Sequence, residues 1–102
     1  MYKVDTDDIT DELIALADKY DLPNLAKICI PPFIKNIDVG NCLHMYIIGY
    51  LHNFEKIKNE AFKVIEKNWD EVEKSYKMLD ERKAHPKAVM EIMSRAMSKI
   101  QK

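Results

Sequence analysis

Apolar residues recur at three- and four-residue intervals along nearly the whole chain, the spacing of one buried helical face. From residue 11 to residue 75 one design occurs twice, first as DELIALADKYDLPNLAKICIPPFIKNI and then as DVGNCLHMYIIGYLHNFEKIKNEAFKVIEKNWDEVEKS. Each time an amphipathic helix ends on an aromatic residue, a short polar break containing Asp or Asn follows, and a second amphipathic helix begins. Nowhere does the chain show sustained alternation or an Asn-Gly turn, so strands should be few. The pattern predicts an all-α fold: a small bundle of five or six short antiparallel helices arranged as tandem helical hairpins. With 102 residues the chain is one domain or part of one. It divides into an irregular lead-in over 1–9, a helix pair over 10–35, a second pair over 36–68 and a helical extension over 69–102.

The element ends are marked by residue chemistry. Thr10 is a candidate N-cap, with Asp11 and Glu12 in the first turn, where carboxylates suit the helix dipole, and Leu13, Ile14, Leu16 and Ala17 as the apolar stripe. That helix should stop near Tyr20 and Asp21. Pro23 then opens the second helix, whose stripe is Leu22, Leu25, Ala26, Ile28 and Cys29. Pro31 and Pro32 lack amide donors and restrict the residue before them, which predicts a kink or break near Ile30, with Phe33 and Ile34 beyond it. Asp38 should cap the third helix, striped by Val39, Cys42, Leu43, Tyr46, Ile47 and Tyr50. Gly49 costs that helix about 1 kcal/mol relative to Ala, so it marks either close packing or an approaching end. His52 and Asn53 form the next loop, and Phe54, Ile57, Ala61, Phe62 and Ile65 the fourth stripe. Asn68 is a candidate cap before Trp69, with Val72, Ser75, Tyr76 and Leu79 on one helix behind it. A charged connector over Glu81–Ala84 leads to Pro86 and a final helix lined by Ala88, Val89, Ile92, Met93, Ala96, Met97 and Ile100.

Charge narrows the range of functions. Sixteen basic and seventeen acidic residues leave a net charge of -1, and the two signs are interspersed from Glu55 to Arg95. That balance argues against a grip on phosphate backbones, hence against nucleic acid. It equally argues against a polybasic role at a membrane. The longest apolar-rich run, Leu43–Leu51, is far too short to span a bilayer, and no signal-peptide core opens the chain. An intracellular protein is the expectation. Cys29 and Cys42 lie in apolar helical patterns and read as buried thiols, with a disulfide as the alternative.

Candidate chemistry is sparse. His44, His52 and His85 have no cysteine pair at zinc-ligand spacing and read as helix-end or surface histidines. Asp5, Asp7 and Asp8 lack the glycine and terminal glutamate of a calcium loop and read as a solvated lead-in. No nucleophile elbow, phosphate loop or zincin motif occurs, and Gly40 and Gly49 are the only glycines. Glu12, Asp18, Glu60 and Glu66 read as carboxylates on solvent faces. The expectation is therefore a non-enzyme with no catalytic residue, metal or cofactor. Phe33, Tyr46, Tyr50 and Trp69 read either as core or as anchors in a partner groove. Met90, Met93 and Met97 likewise suit an irregular core or an adaptable binding surface.

Two segments resemble a known family. ELIALADKYDLPNL (Glu12–Leu25) is similar to the "DLLLAADKYDLxxL" helix pair late in a BTB/POZ domain, where a Cys follows on the second helix; here that residue is Cys29. KNIDVGNCLHMYIIGYLHNFEKIKNEAFKVIEKNW (Lys35–Trp69) resembles the helix pair after the domain in MATH-BTB, speckle-type POZ adaptors, with the tendency "NLxVENAxxxLxLADLHxAxxLKxxAxxFIxxN". Residues beyond Trp69 resemble the entry to a BACK-like extension. The resemblance implies a substrate adaptor of a cullin-RING ubiquitin ligase, nuclear or cytoplasmic, that grips the cullin N-terminal region. On that reading Tyr46, Tyr50, Leu51, His52, Phe54 and Ile57 lie near the cullin-facing end of the post-BTB pair. The strand-rich core of the domain and its dimerising front helices have no counterpart in these residues, so the expectation is that dimerisation and much of the cullin surface are missing from them. Pro31 and Pro32 replace an acidic-polar stretch, and Gly40 stands where a Glu is common. The alternative is a non-catalytic structural module that self-associates as a homo-oligomer or meets a different protein partner.

Overall fold

A computed structural model describes residues 11–100 of the chain. The lead-in over 1–9, the proposed Thr10 cap, the cluster Asp5, Asp7 and Asp8, and the side chain of Ile100 lie outside the described residues. Among the described residues seven helices follow one another: α1 (Asp11–Lys19), α2 (Pro23–Lys35), α3 (Cys42–Leu51), α4 (Glu55–Lys67), α5 (Trp69–Lys74), α6 (Tyr76–Ala84) and α7 (Pro86–Ile100). Among the described residues there is no strand, as the periodicity predicts.

The two hairpins close with the same turn. After α1, Asp21 takes the left-handed conformation (φ 49°), the amide of Leu22 donates to the carbonyl of Ala17 at 2.9 Å, and that of Asp21 donates to Asp18 at 3.2 Å. After α3, Asn53 does the same (φ 59°), with Phe54 donating to Gly49 at 2.9 Å and Asn53 to Tyr50 at 3.4 Å. This is the Schellman arrangement, which satisfies carbonyls that a helix end leaves orphaned. Asp and Asn tolerate the left-handed region better than other non-glycine residues, which is why a polar residue follows the aromatic one in each repeat.

Five local expectations are corrected in whole or in part. α2 continues through Pro31 and Pro32 to Lys35, so of the kink or break expected near Ile30 the break does not occur, and Phe33 and Ile34 belong to the same helix. The prolines withhold the amides that would pair with the carbonyls of Lys27 and Ile28, two residues whose side chains face solvent. Burial of Phe33, 1% exposed, draws the last turn onto the core and offsets the loss. Regular α3 begins at Cys42 and not just after Asp38. The Asp38 carboxylate does accept from the amides of Gly40 (2.8 Å) and Asn41 (3.0 Å), but it caps an isolated turn ahead of the helix. Asn68 stands at the N-cap of α5, where its carbonyl accepts from the amide of Val72 at 2.9 Å, but its side chain points backwards and donates to the carbonyl of Val64 at 2.9 Å, closing α4 instead of capping α5. Ser75 divides the helix expected across Val72 and Leu79. Its hydroxyl donates to Val72 at the end of α5 and accepts from the amide of Met78 in α6. That break gives one helix more than the pattern predicts. α6 then runs on through Glu81–Ala84, where a connector was expected, and Pro86 opens α7 as read.

α3 is the centre of the bundle. Seven of its residues, Cys42, Leu43, Met45, Tyr46, Ile47, Ile48 and Gly49, are buried. A helix apolar on nearly every side belongs inside, and α3, whose His44 side chain is exposed, packs against α4, α6 and α7. α4 contributes Ile57, Ala61, Phe62 and Ile65 to the same core, and α7 contributes Ala88, Val89, Ile92 and Ala96. α2 rests on α4 through a face that buries Cys29 and Phe33.

Candidate protein-interaction surface

The six residues proposed to meet a partner divide between core and surface. Tyr46 and Ile57 are fully buried and support the surface from beneath, so neither can touch a partner in this conformation. Leu51, at the last position of α3, is 47% exposed. Tyr50, His52 and Phe54 are half-buried around it. Tyr50 packs under the Lys58 ammonium, 5.6 Å from the ring centre, as an aromatic face does with a cation.

His52 ties this turn to the first hairpin. Its Nδ1 lies 2.8 Å from the Asp18 carboxylate on α1. A second pair, His44 with Asp11, joins the opposite ends of the same two helices. His44 also lies 4.0 Å from Glu81 on α6. The two pairs run in step along α1 and α3, so both helices bring their C-terminal turns to the same end of the molecule. Tyr20 (58% exposed) and Leu22 (40%) of the first turn therefore join Leu51 and Phe54 of the second at that end. The spacing gave no reason to include Tyr20 or Leu22, because it shows which residues share a helix face and not which turns meet in space.

A partly buried polar network, which the apolar spacing does not foretell, joins α3, α4 and α7. The Tyr46 hydroxyl on α3 donates to the Glu91 carboxylate on α7 and accepts from Arg95 at 3.2 Å. Glu91 also receives Lys58 from α4 at 2.8 Å, and Arg95 donates to Asn59 at 3.1 Å while stacking 4.4 Å from the centre of the Phe62 ring. Burial, reinforced by the hydrogen bond to Glu91, pushes the Tyr46 phenol up to about 12. Desolvation pulls Glu91 upward, but the hydrogen bonds from Lys58 and Tyr46 outweigh it and hold the carboxyl below its ordinary range. Lys58 shows the mirror case: desolvation disfavours its charge, and Glu91 more than restores it. Among the described residues no buried polar side-chain atom is left without a partner. The hint in the sequence is a pair of tyrosines, Tyr46 and Tyr50, in an otherwise apolar stripe, and spacing does not tell which of the two hydroxyls meets a partner.

The remaining candidates resolve simply. Cys29 and Cys42 are buried free thiols, as read, and burial raises the pKa of both. Phe33 is core and Trp69 half-buried, while Met90 and Met97 are exposed and Met93 packs against the core. Among the described residues no three His, Cys, Asp or Glu side chains converge as a metal site requires, and no helix is long and apolar enough to cross a membrane.

Among the described residues the fold is an all-α module of two hairpins followed by three further helices. No family model matches the chain. Over 80 residues, 78% of the chain, it is 34% identical to mouse (Mus musculus) TD and POZ domain-containing protein 2. Over the same length it is 31% identical to mouse TD and POZ domain-containing protein 4. It is also 24% identical over 75 residues, 74% of the chain, to Kelch-like protein 41a of Danio rerio, 12% of whose length is matched. These similarities support a region of BTB/POZ type. The chain spans 22% of the length of the two mouse relatives.

Proposed function

We propose that this chain is the protein-interaction region of a substrate adaptor for a cullin-RING ubiquitin ligase. In this reading the α3–α4 pair contacts the cullin N-terminal region, and no residue of the chain acts catalytically. The observation that carries the proposal is the pair of matching hairpin turns at one end of the bundle, where Leu51 is 47% exposed beside half-buried Tyr50, His52 and Phe54. Similarity to the two mouse proteins and to the Kelch-like protein supports the interaction class. The cullin role rests on the motif resemblance in Glu12–Leu25 and Lys35–Trp69.

Calorimetric titration of the folded chain with a cullin N-terminal domain tests the proposal. Saturable heat is expected from wild type, with at least a tenfold loss for Leu51→Asp. Absence of heat at high micromolar concentration would remove direct binding by this chain. Equal affinity for the variant would remove the assigned surface.

A second reading is self-association. Leu16, Tyr20, Leu22 and Ile28 of the first hairpin are all exposed. Apolar surface of this kind often marks a contact with another chain. Light scattering should then show mass rising with concentration, and a monomer throughout would exclude that reading.

A further inference from the structure

We draw no further inference here: the strongest candidate, the small apolar groove between the turn that precedes α3 and the α5–α6 junction, lined by Val39, Leu43, Val72 and Tyr76, carries nothing because nothing in the structure shows what covers it.

Discussion

Gly49 of α3 faces Lys58 of α4 so closely that a methyl group on Gly49 would lie 2.9 Å from both the Cγ and the backbone nitrogen of Lys58, and 3.1 Å from Cβ of Ile57. The glycine therefore sets how near the two helices approach. Its carbonyl also accepts the long-range hydrogen bond of the turn, from Phe54 at 2.9 Å.

Gly49→Ala is a contest between two effects. Helix propensity favours Ala by about 1 kcal/mol. Overpacking against a backbone atom, which cannot swing aside, typically costs about 1–3 kcal/mol. The clash should win, giving a net loss of stability in urea unfolding. A midpoint at or above wild type would show that the helices separate without cost.

Phe62 is 2% exposed and carries the Arg95 guanidinium against its ring. Phe62→Ala should cost about 3–5 kcal/mol, the usual loss for a buried aromatic side chain. Lys63, the next residue, has a side chain 70% exposed and pairs with Glu60, one turn back. Lys63→Ala should stay within about 0.5 kcal/mol of wild type. Urea unfolding of the two variants side by side checks the contrast, and equal midpoints would mean that the α4 face is misplaced.

Titration should expose the Tyr46–Glu91 contact at both ends of the pH scale. Glu91 has a lowered pKa in the folded chain, so its contribution is present above the ordinary glutamate range and is lost as pH falls below about 4.5 and through the folded value. Glu91→Gln should flatten that acid limb. Tyr46 is raised to about 12 from the ordinary tyrosine value of 10.0, so the unfolded chain releases its proton first and stability falls as pH rises across that interval. Phenolate absorbance should show a late-ionising tyrosine that Tyr46→Phe removes. If the variant titrates like wild type, Tyr46 is not the buried phenol.

Both thiols should be unreactive in the native protein. Cys29 and Cys42 are 2% and 1% exposed, and burial raises the pKa of each, so little of the nucleophilic thiolate forms. A thiol reagent at neutral pH should modify neither until denaturant is added, and then both. Rapid labelling of either cysteine without denaturant would contradict its place in the core.

Much of this protein could be read from the sequence because the determinants are local. The helical class follows from apolar spacing, and the paired design from two recurrences of an aromatic residue, a polar break and a new stripe. The start of α7 follows from Pro86, and the burial of Phe62 and Ile57 from the α4 stripe. Each depends on residues within a few positions of one another.

Tertiary structure decided what depends on distant partners. Two prolines stay inside α2 because burying Phe33 outweighs hydrogen bonds that local rules count as decisive. Tyr46 and Ile57 belong beneath the proposed contact surface because α3 is enclosed by α4, α6 and α7. Tyr20 and Leu22 join that surface because Asp18 meets His52, 34 positions along the chain. The Tyr46, Lys58, Glu91 and Arg95 network likewise unites three helices. Apolar periodicity states that a helix face is buried, while a hydrogen bond needs a particular partner at a particular distance, and only the packing of the helices supplies one.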